Sequence, residues 1–120
     1  MKPITEINTP EFEEEVLHSP HPVLVGFLRG WARCCRRIEP VLEKVAGACI
    51  GKVKVLKVNV DKNPGLAVWY GIQTVPTLIY FTDGNTAAKF QHIVRVEAIL
   101  AKLNSLTQGN TPTKDSGRPQ

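Results

Sequence analysis

The stretch Pro22-Val23-Leu24-Val25-Gly26-Phe27-Leu28-Arg29-Gly30-Trp31-Ala32-Arg33-Cys34-Cys35-Arg36-Arg37-Ile38 decides how this chain is read. After the helix-breaking Ser19-Pro20-His21-Pro22, Val23 to Leu28 form a continuous apolar run of strand length. A strand apolar on both faces is typically central and parallel. From about Trp31 the period changes. Ile38, Val41, Leu42, Val45 and Ala46 recur at helical spacing, which predicts a helix to about Cys49, kinked at Pro40 and ended by Gly47 and Gly51.

Upstream, Ile4 and Ile7 open a short extended segment, and Thr9-Pro10-Glu11 supplies an N-cap, a first-turn proline and a dipole-favoured acid. The helix predicted from Pro10 to His18 buries Phe12, Val16 and Leu17 and leaves Glu11, Glu13, Glu14 and Glu15 as a solvated face. Downstream, Val53 to Val60 form a second buried strand, closed by the turn Asp61-Lys62-Asn63-Pro64-Gly65. A short helix over Leu66 to Tyr70 precedes the strand Thr77 to Phe81. The hairpin signal Asp83-Gly84-Asn85 then leads to a strand over Ala87 to Phe90. Val96, Ile99, Leu100, Leu103 and Leu106 carry the last helix, and from Thr107 the chain has no apolar anchor. The order β-α-β-α-β-α-β-β-α predicts one α/β domain over residues 1–106 and a disordered tail over 107–120.

Composition bounds what such a domain does. At 120 residues with 42% hydrophobic content the chain can build one core. No apolar run approaches the roughly 20 residues of a membrane span, and Met1-Lys2-Pro3 leads into no hydrophobic segment, so neither a membrane partner nor a secretory leader is expected. The net charge of +4 is dispersed and aromatics are only 7%, so nucleic acid is not an expected partner. Three cysteines are an odd number and fit a reducing, cytoplasmic setting. Adjacent Cys34 and Cys35 have Cα atoms about 3.8 Å apart, short of the usual disulfide span of about 4.4 Å. Cys49 is roughly 21 Å further along the helix. With His18, His21 and His92 the cysteines give no zinc-ligand spacing, so no metal or cofactor is expected.

Four motifs carry a resemblance to the thioredoxin family over about Ile4 to Leu106: Pro22-Val23-Leu24-Val25; Trp31 with Cys35, Ile38 and Pro40; Asp61-Lys62-Asn63-Pro64-Gly65; and Tyr70-Gly71-Ile72-Gln73-Thr74-Val75-Pro76-Thr77-Leu78. The resemblance implies the thioredoxin fold, a central mixed five-stranded sheet flanked by four helices, and thiol–disulfide exchange on protein or peptide substrates by a monomer regenerated by a thiol reductant. It further implies an active site of the form Trp-Cys-Gly-Pro-Cys, in which the first thiolate attacks and the second resolves the mixed disulfide. Here that stretch reads Trp31-Ala32-Arg33-Cys34-Cys35. Ala32 stands where the nucleophile belongs, Cys35 matches the resolving cysteine, and Cys34 has no family role to inherit.

The same resemblance places Gly26 where the family often keeps a buried Asp. It places Lys57 where a lysine pairs with that Asp, so Lys57 either lies under the site without its partner or snorkels to water. His92 falls near the Pro76 loop, either as a proton partner for a thiol or as a surface histidine. Thr74, Val75 and Pro76, with Trp31, match the substrate-binding surface, where the residue before a cis proline pairs with an extended peptide. Arg29, Arg33, Arg36 and Arg37 surround Cys34 and Cys35 at a helix start, where positive charge and the helix dipole favour a thiolate. Three readings stay open: a monothiol enzyme acting through Cys34 or Cys35, a non-catalytic peptide-binding module, and a variant of an active protein whose natural residue at position 32 is cysteine.

Overall fold

The computed structural model describes residues 4–29, 33–91 and 95–108, the side chains of 33–35, 107 and 108 excepted. Its elements are β1 (Thr5–Glu6), α1 (Thr9–Phe12), β2 (Val23–Leu28), α2 (Arg33–Ala48), β3 (Lys54–Asn59), α3 (Pro64–Trp69), β4 (Thr77–Thr82), β5 (Asn85–Phe90) and α4 (Val96–Gln108). They form a mixed sheet ordered β1-β3-β2-β4-β5. β3 lies parallel to both β1 and β2, and β4 is antiparallel to β2 and β5.

All six residues of β2 are buried, because helices cover both faces of the sheet. Leu24 and Leu28 pack with Ile38, Leu42 and Val45 of α2 and with Ile99 and Leu103 of α4. Val23, Val25 and Phe27 pack the other way, with Phe12, Val16, Leu56, Val58 and Phe81. At about 1.5–3 kcal/mol for each fully buried large apolar side chain, this central strand is the energetic spine of the fold. Phe12 lies 5.6 Å from Tyr70 and 5.8 Å from Phe81 between ring centroids, so the first helix is held to the sheet through aromatic contacts.

Several boundaries differ from the sequence reading, among them α3, which begins at Pro64, and β5, which begins at Asn85. The first helix is α-helical only over Thr9–Phe12 and continues as a π-helical turn over Glu13–Leu17, closed by the His18 N–H donating to the Glu13 carbonyl at 2.9 Å. The wider turn suits apolar residues spaced at 12, 16 and 17, for Leu17 also packs against the core. Asn8, not Thr9, is the N-cap, and its N–H donates to Glu11 Oε1 at 2.7 Å. Glu11 is therefore a capping group, and Glu15 pairs with Lys54 at 3.1 Å. Finally, Thr107 and Gln108 belong to α4 rather than to a tail, and 109–120 lie outside the described residues.

The turn between β4 and β5 has Asp83 at φ 53° and Gly84 at φ 79°, the double positive-φ signature of a tight hairpin. A Cβ on Gly84 would sit 2.8 Å from the Leu17 carbonyl oxygen, so only glycine fits there.

Candidate functional site

β2 and β3 run parallel and end together at Leu28 and Asn59. Beside their carboxyl ends the chain enters α2 at Arg33, and β4 begins just after the 74–76 loop. Open-sheet proteins present their chemistry at such an edge. A groove of about 600 Å³ lies there, walled by Val60, Ala67, Val68, Ile72 and Val75 and bordered by Arg29 and Asp61. Arg29 Nε donates to Asp61 Oδ1 at 3.1 Å, which ties the end of β2 to the turn after β3.

Within the 74–76 loop, Thr77 Oγ1 donates to the Thr74 carbonyl at 2.7 Å, and the Val75–Pro76 peptide bond is cis. Thr74 is exposed, while Val75 and Pro76 are half-buried. Val75 packs against both apolar clusters, so the loop is pinned from both faces of the sheet.

Beneath the middle of α2, Gly26 is in register with Lys57 on one side and with Leu78 on the other. A Cβ at position 26 would meet Leu42 Cδ1 at 2.9 Å and Leu78 Cδ2 at 3.2 Å, so an acid has no room unless Leu42 moves. Lys57, read either as lying under the site without the family's strand acid or as snorkelling to water, pairs instead with an acid from the helix. Its Nζ donates to both carboxylate oxygens of Glu39 on α2, at 3.2 and 3.1 Å, and its side chain is only 20% exposed against 39% for Glu39. Sequence reasoning missed Glu39. The available signal was a charged residue one helical turn after Cys35, opposite a strand lysine with no strand acid beside it.

Arg36 and Arg37 are exposed on α2. Arg33, Cys34 and Cys35 occupy the first turn of that helix, with their side chains outside the described residues, as are Trp31, Ala32 and His92 entirely. Gln91 is exposed beyond β5, and the half-buried Phe90 packs against the α2-side core. Cys49 is half-buried against that core too. Burial pushes its thiol up, with the Lys52 ammonium pulling it partly back, the opposite of an activated nucleophile.

A buried polar residue was missed as well. Asn63, 3% exposed, joins the turn before α3 to the first helix. Its Oδ1 accepts from the Thr9 N–H at 2.8 Å and from Thr9 Oγ1 at 2.9 Å. Its Nδ2 donates to Asn8 Oδ1 at 3.1 Å and to the Asn59 carbonyl at 2.9 Å.

This architecture agrees with sequence relationships. The thioredoxin family model matches residues 3–105. The chain belongs to the thioredoxin family. It is 40% identical over 103 residues to Thioredoxin 1 of Synechococcus elongatus, covering 86% of this chain and 88% of that one. It is 43% identical over 84 residues to Thioredoxin 1 of a Nostoc species, covering 70% and 78% respectively. A Synechocystis thioredoxin is 35% identical over 114 residues, covering 95% and 98%. Thioredoxins are in general thiol–disulfide oxidoreductases that act on protein substrates, and the mixed five-stranded sheet with four helices is the thioredoxin fold. No helix among the described residues is long and apolar enough to cross a membrane.

Proposed function

We propose that this thioredoxin-family chain engages extended protein segments at the groove beside Val75 and that its dithiol cycle is impaired. The observation that carries the reading is Ala32, standing where the family's nucleophilic cysteine belongs. In that cycle a thiolate at the first position attacks one sulfur of the substrate disulfide and expels the other as thiolate. The second cysteine then attacks the mixed disulfide and releases the reduced substrate. An alanine has no sulfur with which to form the first bond. What remains is a single-thiol step through Cys34 or Cys35, favoured by the start of α2 and by Arg33, Arg36 and Arg37. The mixed disulfide so formed needs an external thiol reductant to resolve it. The groove and the pinned Thr74-Val75-Pro76 loop support peptide binding that does not require a thiol. The reading includes a cytoplasmic monomer with no metal or cofactor.

Insulin reduction driven by dithiothreitol tests the impairment. The unmodified chain is expected to stay far below thioredoxin-like rates, at most the slow single-thiol turnover that dithiothreitol can resolve, and Ala32→Cys to raise turnover well above it. Equal turnover by the two proteins would overturn the reading, because position 32 would then not be the catalytic position.

A further inference from the structure

We infer that the outer face of α3, together with the groove on its far side, is a docking site for an arginine-bearing apolar segment of a partner protein. Val68 and Trp69 are consecutive on α3 and are 81% and 79% exposed, two of the three large apolar side chains left open on the described surface. Val68 faces the groove beside Val75, whereas Trp69 walls a separate groove of about 220 Å³ that shares no lining residue with it. That space is worth roughly seven waters at about 30 Å³ each, room for one long side chain.

The chemistry of this second groove selects the occupant. Phe12, Leu17, Leu66 and Tyr70 line it with Trp69, and Glu13 is the one charged group lining it among the described residues. The His18 imidazole, itself exposed, lies 3.7 Å from the Glu13 carboxylate, and Glu14 beside it is exposed as well. Aromatic faces attract a cation, and a carboxylate at their rim accepts two parallel N–H bonds from a guanidinium. An arginine satisfies both at once, with its methylene stem against the apolar floor. On a chain of net charge +4 this acidic edge is the local exception, so complementary charge favours a basic partner segment there. The apolar neighbours of that arginine would cover Val68 and the outer face of Trp69.

The sequence has two tryptophans, so Trp31→Phe in the full chain leaves Trp69 as the sole emitter. The probe is the acetylated, amidated peptide Leu-Arg-Ile-Arg-Leu, with its glutamate counterpart Leu-Glu-Ile-Glu-Leu as control. The arginine peptide is expected to shift Trp69 emission to the blue, saturably and more weakly at high salt, while the glutamate peptide does not. Glu13→Gln should weaken the arginine peptide about five- to tenfold. Trp69→Ala in the otherwise unmodified chain, followed by calorimetry, should abolish its binding. Circular dichroism confirms that each variant is folded. Equal binding of both peptides, no saturable shift, or indifference to Glu13→Gln would overturn the inference. A blue shift that grows with protein concentration alone, accompanied by a sedimenting dimer, would overturn it too, by showing that a second copy covers the face.

Discussion

Replacing Asn63 with alanine tests whether one buried side chain holds the groove-bearing turn to the first helix. Its four hydrogen bonds span 2.8 to 3.1 Å and reach Asn8, Thr9 and Asn59. Each is worth about 0.5–1.5 kcal/mol net. Asn8 and Thr9 are exposed, so water takes over much of their bonding once the amide is gone, whereas the half-buried Asn59 carbonyl is less well served. The expected loss is therefore about 2–3 kcal/mol, roughly a 30- to 150-fold fall in the folding constant. For a domain of this size that lowers Tm by roughly 10–20 °C. Urea unfolding followed by circular dichroism measures it, with m unchanged if only stability moves. Asn8→Ala removes the N-cap side chain together with the acceptor for Asn63 Nδ2 and should cost about 0.5–2 kcal/mol. The double variant should fall short of the sum, because the two residues share a bond. A loss below about 0.5 kcal/mol for Asn63→Ala, the range of an ordinary surface substitution, would refute the reasoning.

Three further outcomes follow from buried groups. Tyr80 is fully buried and its hydroxyl finds no partner among the described residues, so Tyr80→Phe should leave stability unchanged or raise it by about 1–2 kcal/mol, measured by urea midpoint; a loss above 1 kcal/mol would reveal an unseen partner. Gly26→Asp should destabilise by about 1–3 kcal/mol through contact with Leu42 Cδ1 at 2.9 Å, and adding Glu39→Gln should recover part of that as Lys57 turns to the new carboxylate. A neutral Gly26→Asp would mean that Leu42 yields freely. Burial raises the Cys49 thiol and the Tyr70 and Tyr80 phenols in the folded state; Lys52 and a side-chain bond with Trp69 pull the first two partly back. The contribution of these groups is thus fully present below their ordinary values of 9.0 and 10.0 and is lost as pH rises through the folded ones. Urea midpoints should hold steady up to about pH 8.5 and fall beyond it, less steeply in Cys49→Ala. A midpoint that rises with alkali would contradict the sign.

The fold was legible because its decisive strand announces itself. Val23 to Leu28 is apolar at every position except Gly26, and that pattern suits a strand covered on both faces. The hairpin was equally plain in Asp83-Gly84, whose residues tolerate positive φ. Helix boundaries were less so. Thr9 reads as a cap from sequence, yet its N–H and hydroxyl are both drawn to Asn63, 54 residues away, and the cap moves back to Asn8. Long-range pairing of this kind leaves no mark on a local window. Glu39 illustrates the same limit at the site. Helical spacing puts it near the α2–sheet boundary, but only the register that sets Lys57 against Gly26 shows that the lysine must take its acid from the helix.

That exchange of partners bears on what the region beneath α2 does. An acid on β2 beside Lys57 would be a buried ionisable group within the sheet, and such groups are costly unless they serve as proton carriers or find a close counter-charge. Here the strand position is glycine, and Leu42 and Leu78 fill the space where a side chain would stand. The lysine, still 20% exposed, is neutralised by a carboxylate that is itself 39% exposed, at the margin of the core rather than inside it. Position 26 is thus packed with apolar side chains and Lys57 is held in a fixed ion pair. On the proposed reading, Ala32 leaves no sulfur at the position that a proton carrier there would serve. The packing at position 26 and the Lys57–Glu39 pair at the core margin favour the proposed reading, in which the surface beside the groove holds its shape to bind an extended segment.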